Sequence, residues 1–352
     1  TRFFNKQFDF TRGSLATFVV KDGLIKISGV TATELVTNGD FATDSDWTLG
    51  TGITISNGKA NFTGNANTFL TQSGVVSSGK TYKATFTVSN YVLGAIDINL
   101  GGSTRRGNIS ANGTYIFYIT VPSGNILYFQ EDFSNGFVGS IDNVSVKEIQ
   151  LDVPRIDFTN DTKGHLLLEP QSTNLITNSN LFTSWSKEAT VTLTANYGIS
   201  PDGTQNSTRM QMNANDSIYI SKTSGLTASV YVKGTQGETI RLSNGSALTH
   251  TLSGQWDRIQ VYDSGSISSL ISINTYSGAT ARDIVVWGAQ VEALSFPTSY
   301  IPTSGSTVTR NAEVCINSGS AQDFNSEEGV LYADIAFLND TGNSVSYTHL
   351  TL

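Results

Sequence analysis

The octapeptide Gly74–Thr81, GVVSSGKT, matches the pattern G-x-x-x-x-G-K-[ST], which holds phosphate groups in nucleotide-binding proteins. Such a loop works when a buried parallel strand precedes it and a helix follows, because amides at the start of that helix contact the phosphate. In this chain residues 81–88 alternate between polar and apolar side chains, which is typical of a strand. We therefore interpret the motif as a turn that leads into a strand, and nucleotide binding is not predicted.

Residues for other kinds of catalysis are sparse. The histidines His165, His250 and His349 are far apart in the sequence and Cys315 is the single cysteine, so no zinc cluster is indicated. Glycosidases need two carboxylates across a cleft, and acids in predicted turns have the chemistry for that role. Ordinary solvated turn acids are the alternative, and on that interpretation the protein is not an enzyme. The acids concerned are Asp44, Asp46, Glu131, Asp132, Glu327 and Glu328.

The composition narrows the classes of partner. The 352 residues include 29 acidic and 21 basic side chains, which gives a formal net charge of −8. Nucleic-acid binding depends on clustered Lys and Arg, so this balance argues against a nucleic-acid partner. No apolar run approaches the roughly 20 residues of a membrane-spanning helix, and one cysteine excludes an intrachain disulfide. The length suggests two or three domains.

One unusual phrase occurs twice. The sequence LVTNGDFATDSDW begins at Leu35, and LITNSNLFTSW begins at Leu175. Three later landmarks recur in the same order after each phrase, and the spacing has the size of a domain, so two copies of one fold are predicted. Trp47 and Trp185 stand at the same point of the repeat, which favours a shared place in the core over a sugar-stacking role.

The elements that carry these residues are predicted to be strands. Period-two alternation with β-branched and aromatic residues recurs at 81–88, 115–121 and 226–233, and Gly-containing turns separate the segments. No convincing amphipathic helix is present. The pattern predicts an all-β chain of tandem β-sandwich domains of the jelly-roll type.

Segment 34–149 resembles carbohydrate-binding-module-like jelly rolls that open with N-G-x-F, carry a Trp soon after and close on IDNVSV. Segment 171–300 resembles a sister module of phage tail and other virion-associated proteins. In that module the phrases LLLEPQSTNL, SPDGT, SVYVKG and WGAQVEALSFPTSYIPTSG occur together, as they do in this chain. The resemblance implies a phage tail or virion-associated structural protein.

The same resemblance suggests a domain order in which the first jelly roll interrupts the lead-in to the second. After the second jelly roll, a Pro/Ser/Thr/Gly stretch predicts a linker, and GVLYADIAFLND resembles the first strand of a concanavalin-like lectin. Thr1 is not a methionine and the closing VSYTHLTL resembles translated adapter sequence, so a fragment is expected. The predicted units are a lead-in at 1–33 continued by 150–170, an inserted jelly roll at 34–149, a second jelly roll at 171–300, a linker at 301–313 and a truncated lectin-like β segment at 314–352.

Candidate sugar-binding residues are the aromatic and Arg side chains that the repeat does not share, although each alone is also explained as an ordinary exposed side chain. The family resemblance further implies a structural Ca²⁺ between the opening phrase and the closing strand of the first module, where Asp40 and Asp142 stand. The sugar-binding candidates are Tyr91, Arg105, Arg106, Tyr128, Phe133, Arg241 and Tyr276.

These features together predict a non-catalytic, tail-fibre-like protein that binds host-surface glycans by ring stacking and hydrogen bonds. Its partners would be glycans and other virion proteins, its location the virion or the extracellular space, and its assembly a homotrimer by analogy with tail fibres. Two alternatives stay open. One is an accessory carbohydrate-binding region of a secreted polysaccharide-degrading enzyme, and the other is a structural spacer without a ligand.

Overall fold

The computed structural model describes residues 8–103, 106–159, 162–222, 225–263, 270–276 and 280–316. Regular structure in these ranges consists of β-strands and one 3₁₀ turn at Phe182–Ser184, so the predicted all-β class is confirmed. Within the described ranges, no helix has the length and apolar character needed to cross a membrane. The predicted lectin-like segment lies outside the described residues from position 317 onward.

A first β-sandwich follows a short lead-in. The lead-in strands are β1 (Asp9–Thr11), β2 (Thr17–Val19) and β3 (Ile25–Ile27). The sandwich strands are β4 (Thr48–Leu49), β5 (Ile53–Ser56), β6 (Lys59–Thr63), β7 (Phe69–Gln72), β8 (Thr81–Gly94), β9 (Ile96–Leu100), β10 (Arg106–Ile109), β11 (Gly113–Thr120), β12 (Leu127–Glu131) and β13 (Phe137–Ile149). Two antiparallel sheets of order β10-β9-β12-β7-β4 and β11-β8-β13-β6-β5 enclose one apolar core.

A second sandwich follows three more strands: β14 (Arg155–Asp157), β15 (His165–Leu167) and β16 (Ser172–Asn174). Its own strands are β17 (Ser186–Lys187), β18 (Thr192–Thr194), β19 (Thr208–Met212), β20 (Ser217–Ser221), β21 (Thr227–Lys233), β22 (Thr239–Asn244), β23 (Ser246–Thr251), β24 (Asp257–Tyr262), β25 (Leu270–Asn274) and β26 (Arg282–Glu292). The sheet orders are β17-β20-β25-β22-β23 and β18-β19-β26-β21-β24. Each strand therefore has a counterpart at the same place in the first sandwich.

The repeated tryptophans close equivalent ends of the two cores. The ring of Trp47 packs 5.2 Å from that of Phe41, and the ring of Trp185 packs 5.1 Å from that of Phe182. All four side chains are buried, so the predicted core role of the tryptophans is confirmed. Rings of this size supply much of the buried apolar area in a sandwich.

The GVVSSGKT motif forms turns that end where β8 begins, as predicted. Val75 and Val76 are buried in the first core. Lys80 points outward, and its Nζ donates to a carboxylate oxygen of Glu148 at 2.8 Å. A helix of the kind that a phosphate-binding loop needs does not follow the motif.

The lead-in packs against the second sandwich. The backbone N–H of Ile25 donates to the carbonyl of Pro201, which lies in the SPDGT loop, at 2.9 Å. Ile25 also forms a small apolar cluster with Trp287 and Tyr300. The chain then enters and leaves the first sandwich at a single point, where the N–H of Gln150 donates to the carbonyl of Gly29 at 2.9 Å.

The segment 301–313 packs closely, although its composition predicted a linker. Within it β27 (Val308–Arg310) pairs with β16, and directly after it β28 (Val314–Ile316) pairs with β1. Ile301 and Arg310 are buried. The segment packs closely because Glu313, at its end, forms ion pairs with arginines that are distant in sequence.

Five buried ionic side chains connect the lead-in, the region of β14 and β15, and the segment 301–313. A carboxylate oxygen of Glu313 lies 2.9 Å from Nη1 of Arg12 and accepts from Nε of Arg155 at 2.7 Å. Glu169 accepts from Nη2 of Arg155 at 2.8 Å and lies 3.5 Å from Nη2 of Arg310. Burial opposes ionisation of Glu169, yet Arg310 and Arg155 outweigh it and hold the pKa of Glu169 below its ordinary value. We call this set the arginine cluster.

Candidate functional site

One sheet of the first sandwich presents polar and aromatic side chains on its outer face. Successive side chains of a strand point to opposite sides, and Ile96, Ile98 and Leu100 of β9 are buried in the core. Asp97 and Asn99 therefore lie on the outer face. The same reasoning places Tyr128 and Gln130 of β12 there, because Leu127 and Phe129 point inward.

Tyr128 is the centre of this outer face. In the sheet register it stands between Thr71 of β7 and Asn99 of β9. Its ring meets the half-exposed ring of Phe69 edge to face, with centroids 5.9 Å apart. The amide of Gln130, next to Phe69 in the register, donates to Oδ1 of Asn67 at 2.8 Å. Two rings that are at least partly exposed are thus side by side, whereas Asn99 and Gln130 are buried.

On the equivalent sheet of the second sandwich Arg241, Ser272 and Tyr219 are partly exposed, whereas Asn274 is buried. Arg241 of β22 stands beside Asn274 of β25, and Ser272 stands beside Tyr219 of β20. The amide of Asn274 donates to the hydroxyl of Ser272 at 3.0 Å. Within the described part of the chain, no residue accepts a hydrogen bond from the guanidinium of Arg241.

The structure distributes the predicted sugar-binding residues over both sandwiches. Tyr128 and Arg241 lie on the equivalent outer faces. Phe133 follows β12 and Tyr276 follows β25, and both are exposed, by 59% and 48%. Tyr91 lies instead at the end of β8 in the other sheet, and its hydroxyl donates to the carbonyl of Gly94 at 3.1 Å.

Two predicted residues are described only in part or not at all. Arg106 begins β10, at the edge of the sheet that carries Tyr128, and the description extends to its backbone alone. Arg105 lies outside the described residues. Whether any of the seven candidates contacts sugar therefore stays a prediction.

Phe69, Tyr219, Asn274 and Gln130 belong to these faces and were missed from the sequence. The predicted sugar-binding residues were aromatic and Arg side chains, so the prediction did not include amides. The alternation of side chains along β7 and β20 indicates which face of the sheet Phe69 and Tyr219 occupy, so the sequence did contain a signal for these two residues. The register that places them beside partners in other strands is not encoded in any local pattern.

The predicted calcium ligands lie on neighbouring segments. The N–H of Val144 donates to the carbonyl of Gly39 at 2.8 Å, which joins the closing strand to the opening phrase. Oδ1 of Asp40 accepts from the N–H of Ala42 at 3.4 Å, and Oδ1 of Asp142 accepts from its neighbour Asn143 at 2.6 Å. In the described ranges no three or more His, Cys, Asp or Glu side chains are grouped as metal ligands. Ca²⁺ takes six to eight oxygens, and these two carboxylates alone do not form such a site.

Glu131, considered above as a solvated turn acid, is in fact fully buried at the end of β12. One carboxylate oxygen accepts from the N–H of Phe137 at 2.7 Å, and the other has no partner among the described residues. Burial raises its pKa to about 7, because the charged form loses its hydration. Buried in this way, the carboxyl of Glu131 does not face an open cleft, as a glycosidase acid must.

The sequence matches no family model and no curated protein. Among solved structures, it is similar to the N-terminal tandem CBM22 domains of Xyn10C from Paenibacillus barcinonensis, with 13% identity and a TM-score of 0.27 over 76% of this chain and 98% of that chain. It is also similar to the ANX2 ectodomain from Arabidopsis thaliana, with 11% identity and a TM-score of 0.23 over 80% and 97% of the two chains. A third is the M60 catalytic domain with two CBM51 domains from Clostridium perfringens ZmpB, with 8% identity and a TM-score of 0.19 over 87% and 43%. At these identities and TM-scores the likenesses assign neither a family nor a ligand.

Proposed function

We propose that this chain is a non-catalytic carbohydrate-binding protein whose two sandwiches present glycan-binding surfaces on the outer faces of equivalent sheets. The observation that carries the proposal is that the partly exposed Tyr128 lies beside the half-exposed ring of Phe69 on one outer face, and that the partly exposed Arg241 lies on the equivalent face of the second sandwich. A flat ring covers the apolar face of a sugar, and amide and guanidinium groups hydrogen-bond its hydroxyls. Each contact is weak, so several surfaces acting together supply the avidity.

The more specific proposal is a tail-fibre-like virion protein that attaches a phage to host-surface glycans. It is supported by the phrases that segment 171–300 shares with virion-associated modules. A homotrimer and contacts with other virion proteins belong to the same proposal. Portal or tail genes beside the coding sequence would support it, whereas a glycosidase domain in the same gene would favour the accessory-region alternative.

A glycan array with the intact chain, followed by calorimetry with the strongest hit, tests the binding function. Tyr128→Ala and Arg241→Ala should each weaken binding about tenfold, because each removes a contact to the sugar. The control is Tyr262→Ala, since Tyr262 is an exposed tyrosine that lies on β24 in the other sheet of the second sandwich.

Two results would count against this function. A blank array would leave the spacer alternative as the better explanation. If the variant with both Tyr128→Ala and Arg241→Ala bound glycan as tightly as the wild type, the outer faces would not be the binding surfaces.

A further inference from the structure

A cleft of about 510 Å³ lies between the two sandwiches and the hairpin of β2 and β3. The first sandwich contributes outward side chains of its edge strand β11, including Tyr118. The second contributes the segment with Asn178 and Asn180 and the loop that holds Asp202. The volume falls within the roughly 300–1,000 Å³ of small-molecule sites. The described residues that line the cleft include none of the predicted sugar-binding residues.

Two asparagines in this cleft have amide orientations fixed by backbone donors. Oδ1 of Asn178 accepts from the N–H of Gly305 at 2.7 Å. Oδ1 of Asn180 accepts from the N–H of Gly288 at 2.8 Å and from the hydroxyl of Tyr300 at 3.2 Å. Because a backbone N–H can only donate, these bonds identify the carbonyl end of each amide. Among the described residues none accepts from either Nδ2, so the cleft contains two oriented N–H donor groups.

The hydroxyl of Tyr118 adds a group that can both donate and accept. No described residue hydrogen-bonds to it. Burial between the sandwiches raises the pKa of Tyr118 and the nearby Asp202 carboxylate raises it further, so the hydroxyl stays protonated at neutral pH. The hydroxyl of Tyr115, in contrast, is already engaged, since it donates to the carbonyl of Ala111 at 2.8 Å and accepts from Asn196 at 3.2 Å.

The cleft is electrically neutral. Lys26 and Asp202 are the charged residues among the described ones that line it. Nζ of Lys26 donates to the backbone carbonyl of Asp202 at 2.7 Å. The carboxylate of Asp202 accepts from the N–H of Thr204 at 2.8 Å and from the amide of Asn206 at 3.0 Å. The one positive and the one negative side chain cancel, so the described lining has no net charge that would favour an anion or a cation.

We propose that this cleft is a second binding site, separate from the outer faces, for a neutral polyhydroxylated ligand of about one or two sugar rings. The amides of Asn178 and Asn180 donate to ligand oxygens, and the hydroxyl of Tyr118 bonds a ligand hydroxyl from the opposite sandwich. The apolar wall, including Ile116 and Leu181, packs against ring C–H groups. Since the ligand contacts both sandwiches, its binding holds them in one orientation.

The probes are glucose, galactose, N-acetylglucosamine, lactose and cellobiose, titrated into the intact chain by calorimetry and by NMR of side-chain amides. Galacturonic acid serves as the charged comparison. Asn180→Asp keeps the acceptor for Gly288 and removes the donor, and Tyr118→Phe removes the hydroxyl and keeps the ring. Each should weaken binding of the best neutral sugar about tenfold and suppress the shifts of the Asn178 amide. The control is Tyr262→Phe, because Tyr262 lies on the equivalent edge strand β24. It should change neither the sugar binding nor the shifts of the Asn178 amide.

The outcomes separate the cleft from the outer faces. Binding that persists in Tyr128→Ala with Arg241→Ala but falls in Asn180→Asp supports the cleft. The reverse pattern overturns the cleft and leaves the outer faces in place. The cleft is also overturned if none of the neutral probes binds, if galacturonic acid binds better than all of them, or if Asn180→Asp and Tyr118→Phe melt as the wild type and bind the best neutral sugar equally well.

Discussion

At the scale of single residues, the carboxyl of Glu131 has the clearest consequence for stability. Its pKa of about 7 in the folded chain lies above the ordinary 4.5, so between these values the folded state holds a proton that the unfolded state has lost. This contribution to the free energy of unfolding is complete below pH 4.5 and disappears as the pH rises through 7. Its size is on the order of 3 kcal/mol.

Glu131→Gln should therefore raise the melting temperature of the first sandwich at pH 8 and change it little at pH 5, as measured by thermal unfolding across that range. The amide is neutral at both values and retains an acceptor for the N–H of Phe137. Glu148→Gln is the control, because it changes the same residue type on the surface of the same sandwich. An equal pH-dependent gain in that control would show that the effect does not come from Glu131.

At the scale of elements, the arginine cluster joins the lead-in, β14 and the segment after β27. Arg155 contacts Glu169 and Glu313 with its side chain fully buried, so its loss leaves each of these buried carboxylates with one arginine fewer. Arg155→Ala should destabilise the second sandwich by about 3–5 kcal/mol while the melting of the first sandwich stays unchanged. Calorimetry that resolves the two transitions measures this difference.

The exposed pair of Arg209 and Asp283 supplies the comparison for Arg155. Arg209→Ala should leave both transitions nearly unchanged, because exposed ion pairs contribute little. If Arg155→Ala and Arg209→Ala lowered the free energy of unfolding equally, burial would not explain how much the arginine cluster stabilises the fold.

The same cluster shows what the sequence could and could not predict. Alternation identified β8, β11 and β21 because each strand has one face in the core, a property of neighbouring residues. Glu313 stands in a polar stretch that is typical of a linker, and nothing near it indicates the distant Arg12 and Arg155. Tyr128 and Arg241 were identified by residue type, whereas their grouping with Phe69 and Asn274 depends on strand register. The cleft depends on the packing of two sandwiches, which no local pattern encodes.

At the scale of the whole molecule, the chain passes into and out of the first sandwich at one junction. Gly29 and Gln150 are hydrogen-bonded, and Val30 forms an isolated bridge with Ile149. A Cβ on Gly29, whose φ is +78°, would lie 1.9 Å from the carbonyl oxygen of Gln150, so glycine is needed for this close approach. An insertion of residues 34–149 into the lead-in of the second sandwich stays a prediction, and the junction makes it directly testable.

Replacing Val30–Ile149 with a short Gly/Ser linker should leave a chain that folds, because Arg12 still contacts Glu313 and Ile25 still packs on Trp287. Far-UV circular dichroism and thermal unfolding should show the transition of the second sandwich alone. The shortened chain should keep binding at the Arg241 face and lose neutral-sugar binding in the cleft, since β11 supplied one wall of it. Aggregation would argue that the first sandwich is integral to the fold of the second, and retained cleft binding would argue that Tyr118 and its strand take no part in recognition.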